Sequence, residues 1–76
     1  MSTAEILATN VRIFRAARNL TQALLAEEAG ISPQYVAKIE RGDGNVTLVV
    51  LDQLAQTLKV TPARLVTEVV LQSQAA

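Results

Sequence analysis

Seventy-six residues, half of them apolar, bound a single domain near the size where one core is only just sufficient. Seven Lys and Arg balance seven Asp and Glu, and there is no Cys and no His. That excludes disulfides and thiolate zinc sites and removes the commonest catalytic base, so neither an enzyme nor a cofactor is expected.

No run is long and apolar enough to span a membrane. The first helix is predicted over about residues 3–18. Ser2 and Glu5 have capping-box spacing. Leu7, Val11, Phe14 and Arg18 form one stripe, with Ile6, Asn10, Ile13 and Ala17 beside it. The Arg-rich amphipathic start also has transit-peptide character, but the same residues are needed as the first helix. Asn19 suits the left-handed position that closes a helix, and Leu20 then enters the core.

Residues 21–42, TQALLAEEAGISPQYVAKIERG, hold two short helical patterns around a glycine turn. Thr21 is the N-cap of the first, which runs from Gln22 to Ala29. Gly30 supplies the positive φ that the turn needs, and Ala26 keeps the helix thin where the next one crosses it. Ser32 caps the second pattern and Pro33 takes its first position, where a missing N–H costs nothing. This is a helix-turn-helix.

At about 100° per residue, Val36 and Ile39 point inward. Gln34, Ala37, Lys38 and Arg41 share an outward, polar arc suited to the DNA major groove, where Gln pairs with adenine and Lys or Arg with guanine. Ser32 and Pro33 stand at its edge, and Pro33 can only pack, for example on a thymine methyl. Gln22, in the first turn of its helix, is the best phosphate contact, with Thr21 assisting. Tyr35 either packs at the core edge or lends its hydroxyl to a phosphate. Glu27 and Glu28 do not converge and are read as a solvated face rather than a cation site.

Asp43-Gly44-Asn45 makes a tight turn, and Asn45 is a further candidate for phosphate. Thr47 caps a fourth helix over about 48–59, with Leu48, Leu51, Leu54, Ala55 and Leu58 facing the core by spacing. Thr61 and Pro62 start a fifth helix, predicted to reach about residue 72. Its two apolar stripes, Leu65 with Val69 and Val66 with Val70, exceed what one small core covers. Together with Val49 and Val50 they suggest a homodimer interface; a deeper monomer core is the alternative.

The segment resembles the phage repressor and Cro-like (XRE) helix-turn-helix family, through Gln22, Ala26, Gly30, Val36 and Ile39 at the family's spacing and the IERG ending at Ile39 to Gly42. The resemblance extends over about residues 11–66. It implies an all-α, five-helix lambda-repressor-like DNA-binding domain, here a single unit over 1–76. It also implies an ion pair between Arg15 and Glu40, against the competing reading that Arg15 touches phosphate. The chain departs from the pattern at Leu24, which replaces the Glu of a capping box, at Pro33, and at Asp43, where relatives are often basic.

The expected function is that of a sequence-specific regulator of transcription, a homodimer on a palindromic double-stranded DNA site, cytoplasmic at the nucleoid. With no effector domain in 76 residues, control would come from dimer concentration or a partner, an economy similar to that of restriction–modification controller proteins and small repressors. The alternative is an antitoxin-type module whose valines grip a partner protein. Zero net charge argues against a nucleic-acid binder; the defence is that Arg12, Arg15, Arg18, Lys38 and Arg41 all lie in the first 41 residues.

Overall fold

The computed structural model describes residues 1–69. Five helices follow in order: α1 Thr3–Ala17, α2 Gln22–Ala29, α3 Pro33–Glu40, α4 Leu48–Leu58 and α5 Pro62–Leu65. Among the described residues there is no strand.

Side chains set every helix start. Ser2 Oγ accepts from Glu5 N at 3.1 Å while Ser2 N donates to Glu5 Oε1 at 2.8 Å, a complete capping box. These bonds hold the Glu5 carboxyl below its ordinary pKa. Thr21, Ser32, Thr47 and Thr61 each accept a backbone N–H three residues on. Gly30 closes α2 at φ 76°, and Asn19 takes the left-handed position expected of it, at φ 57°. Lys59 closes α4 at φ 60° with no glycine to mark it.

One core joins the helices. Val11 of α1, Leu25 of α2, Val36 and Ile39 of α3, Leu54 of α4 and Leu65 of α5 are all buried in it. The helix-turn-helix pair α2–α3 rests on α1 and α4, and α5 is held between α4 and α1. Ala26 is 1% exposed, so the thin position in α2 is filled by its neighbours. Gly44 is required by space: a Cβ there would stand 2.9 Å from Ile39 Cγ1 and 3.0 Å from Ile39 Cα.

Two expectations need correction. Leu48 does not face the core; it is 79% exposed. As the first residue of α4 it projects away before the helix settles on the bundle, and burial begins in earnest at Leu54. The fifth helix does not continue from Leu65 towards residue 72, because Val66 leaves helical geometry at φ −114° and ψ 14°. Two causes combine. Val66, Thr67, Val69 and Val70 are β-branched and favour helix weakly. Asn10 also gives the chain another route: its Nδ2 donates to the carbonyls of Arg64, Leu65 and Thr67 at 3.1, 3.0 and 2.8 Å. The two N–H donors of this α1 side chain are thus shared among three carbonyls at and beyond the end of α5. Val70 and the predicted helix end lie outside the described residues.

Candidate nucleic-acid interface

The outward side of α3 carries the predicted reading residues. Gln34 and Lys38 are exposed and one helical turn apart, and Ala37 between them is half-buried. Their direction is fixed from beneath, since Val36 and Ile39 are 0% and 1% exposed on the opposite side. Ser32 and Pro33 are exposed at the helix start, where the Ser32 hydroxyl serves the cap. Arg41 is exposed just beyond the helix, with Nε 3.5 Å from Asp43 Oδ2. A loose ion pair at that exposure is worth at most about 1 kcal/mol, so Arg41 can exchange Asp43 for another anion.

Behind this surface, Glu40 is the centre of a polar cluster. Its side chain is 4% exposed. Arg15 Nε donates to Glu40 Oε2 at 2.7 Å and Arg15 Nη2 to Oε1 at 3.1 Å, a bidentate pair. The pair raises the pKa of Arg15 above its ordinary value, the hydrogen bond to Glu40 being the main cause. Arg15 Nη1 also donates to the Leu20 carbonyl at 2.9 Å. The implied bridge is therefore present and clamps α1 to the end of α3. Arg12 of α1 donates to the backbone carbonyl of Glu40, which supports the C-terminal end of α3 with a positive charge.

The predicted phosphate ligands are more occupied than their sequence positions suggest. Gln22 is half-buried, and its Nε2 donates to Glu40 Oε1 at 2.9 Å. The Tyr35 hydroxyl donates to the Asn45 carbonyl at 3.2 Å. The ring half-packs on the core, so in the free chain this hydroxyl already has a partner. Thr21 is a cap, and the Asn45 side chain is exposed.

Exposure differs among the valines predicted to meet a second copy. Val49 is 65% exposed, Val66 39% and Val69 45%, and Leu48 joins them. Val50 is half-buried against the core. Asn10, which the sequence pattern places beside the apolar stripe of α1, is a 0% exposed amide. Its signal was there: a polar residue between Ile6 and Ile13 on one helix face needs partners once buried.

Comparison with known proteins follows the same lines. The helix-turn-helix family model HTH_3 matches residues 11–65. The control protein C.SmaI of Serratia marcescens is 43% identical over 67 residues, 88% of this chain and 80% of that protein. The restriction-modification controller protein C.AhdI from Aeromonas hydrophila is 35% identical with a TM-score of 0.78, over 82% of this chain and 94% of its own. The hypothetical transcription factor NHTF from Neisseria gives a TM-score of 0.86 at 28% identity, over 97% and 83%.

Proposed function

This chain belongs to the helix-turn-helix family of the XRE type, and we propose that it reads a specific double-stranded DNA site as a homodimer to regulate transcription. The observation that carries the reading is the exposed row of Gln34 and Lys38 on a helix whose inner side is fully buried and whose end is clamped by Arg15 and Glu40. A side chain reads a base edge only if its backbone is held still, and this one is packed against α1 and α2 and clamped at its end. Gln34 is assigned to adenine and Lys38 to guanine, with Ala37 and Pro33 packing on thymine methyls and Ser32 and Arg41 at the margins. Thr21, Gln22, Tyr35 and Asn45 are assigned to the sugar–phosphate backbone, Tyr35 and Gln22 after adjustment of their present bonds.

Leu48, Val49, Val66 and Val69 are exposed apolar residues, and we assign them to the contact with a second copy. Two copies related by a two-fold place two α3 helices in successive major grooves, about 34 Å apart, on a palindromic site. No helix among the described residues is long and apolar enough to cross a membrane, and we place the regulator in the cytoplasm with the nucleoid. An antitoxin-type module is not favoured, since the relatives are named as controllers and transcription factors.

The test is selection from a random duplex pool, repeated with Gln34→Ala and Lys38→Ala. A palindromic consensus is expected, with adenine preference weakened in the first variant and guanine preference in the second. A pool that yields no consensus, at low salt and at a concentration where the chain is dimeric by light scattering, would overturn stand-alone reading.

A further inference from the structure

We propose that Glu40 is a positioning residue for the DNA-backbone contact of Gln22, and that Arg15 makes this possible by neutralising it; the inference rests on the DNA-reading function above. Gln22 opens α2 and Glu40 ends α3, so their 2.9 Å bond ties the start of the backbone-facing helix to the end of the base-reading helix. Glu40 cannot touch DNA itself, because its side chain is 4% exposed. It acts through the half-buried amide in front of it.

The chemistry follows from what each group can donate. A phosphate only accepts hydrogen bonds, whereas a glutamine end can present either its carbonyl or its NH₂. A glutamine that turns its carbonyl to a phosphate repels it. An ionised carboxylate also only accepts, so Glu40 holds the NH₂ end and sets the flip of the amide. One amide hydrogen is used on Glu40 Oε1; the other has no partner among the described residues. The carboxylate also restricts a side chain with high rotamer entropy, which lowers the cost of ordering it on DNA.

A bare carboxylate beside the DNA backbone would oppose binding. The bidentate contact from Arg15, at 2.7 and 3.1 Å, cancels that charge while leaving Oε1 able to accept from Gln22 as well. The donation from Arg12 to the Glu40 carbonyl steadies the backbone of the same residue. Arg15, Glu40 and Gln22 thus form a relay from α1 through α3 to α2, ending in one oriented N–H.

The experiment uses the full chain and duplexes of its selected site in which one phosphate at a time is replaced by a neutral methylphosphonate. Wild type should lose roughly tenfold or more in affinity at one phosphate in each half-site, the scale of a hydrogen bond to a charged group. Gln22→Ala should show no sensitivity there. Glu40→Gln, whose end can face Gln22 either way round, should lose most of that sensitivity on the same duplexes. Wild-type sensitivity retained in Glu40→Gln overturns the proposal.

If Glu40→Gln does not fold, the test moves to the side-chain amide of Gln22 in wild type, followed by proton exchange in nuclear magnetic resonance. One hydrogen should exchange slowly in the free chain, and the second should slow only on DNA carrying the charged phosphate. Two fast hydrogens in the free chain overturn the proposal. A chain that selects no consensus fails as a DNA reader and takes this inference with it; a chain that selects one, with Glu40→Gln unchanged, fails the inference alone.

Discussion

Replacing Arg15 by Met isolates the clamp beneath the recognition helix. The change keeps the length and apolar stem of the side chain and removes three donors: two to the Glu40 carboxylate and one to the Leu20 carbonyl. It leaves a carboxylate at 4% exposure with one neutral amide for company. Removing one partner of a buried pair destabilises by about 3–5 kcal/mol. Arg15 keeps 21% of its side-chain surface, so water can reach the vacated site and the lower end, about 3 kcal/mol, applies. A domain of this length is stable by roughly 4–11 kcal/mol, so the loss is a large share of the whole. Thermal unfolding followed by far-ultraviolet circular dichroism, at fixed protein concentration, should show a fall of at least about 12 °C. The double variant Arg15→Met with Glu40→Leu removes the stranded charge and should recover most of that loss. A single variant that loses less than about 1 kcal/mol, or a double variant no better than the single one, would refute the argument.

Asn10→Ala should destabilise by about 2–4 kcal/mol, since a fully buried amide leaves both a void and unpaired carbonyls. Asn10→Asp should be worse, because a carboxylate would face the three carbonyls of Arg64, Leu65 and Thr67; urea unfolding that ranks Asp above Ala would contradict the assigned bonds. Gly44→Ala should cost about 1–3 kcal/mol through overpacking against the backbone of Ile39, measured by the same denaturation. The depressed pKa of Glu5 gives stability that is present above its unfolded value and is lost as pH falls through the lower folded value. Glu5→Gln should therefore flatten the acid limb of the stability–pH curve, and an unaltered limb would deny the capping box its electrostatic part. Val49→Asp should shift the chain to monomer in sedimentation and abolish tight site binding, with its circular dichroism unchanged; a variant still dimeric moves the interface elsewhere.

Most of the fold was legible because its boundaries are local chemistry. Ser2, Thr21, Ser32, Thr47 and Thr61 each cap a helix where the sequence placed a cap, and Gly30 turns where a positive φ was needed. The misses have the opposite character: they depend on partners far along the chain. Leu48 has the spacing of a core residue, but spacing does not say whether the first turn of α4 reaches the bundle. The end of α5 is set by Asn10, more than fifty residues earlier. At the candidate interface the bridge of Arg15 to Glu40 followed from family resemblance. The further bonds of Glu40 to Gln22 and of Tyr35 to Asn45 did not, because they require the relative placement of helices. Sequence placed Gln34, Lys38 and Arg41 on an outward side, where they are exposed, but did not show that Gln22 and Tyr35 are half-buried and already engaged.

Those engagements bear on how a chain of zero net charge could hold DNA. Arg15 is cancelled by Glu40, and Arg41 is loosely paired with Asp43. Arg64 lies over the Phe14 ring at 5.4 Å, and Arg12 rests on a carbonyl. Arg18 and Lys38 make no ion pair among the described residues. With zero net charge, the counterion-release term that gives most DNA-binding proteins their sequence-independent affinity is expected to be small for one copy. Directional contacts have to supply the remainder, and they act only when base and phosphate positions match. A single copy with so few contacts binds weakly. In the proposed homodimer, a second copy would bring a second set of contacts to the site at a high effective concentration. On this reading the low charge and the exposed apolar face serve the same end: occupancy depends steeply on the amount of chain present, and wrong sequences retain little hold on it.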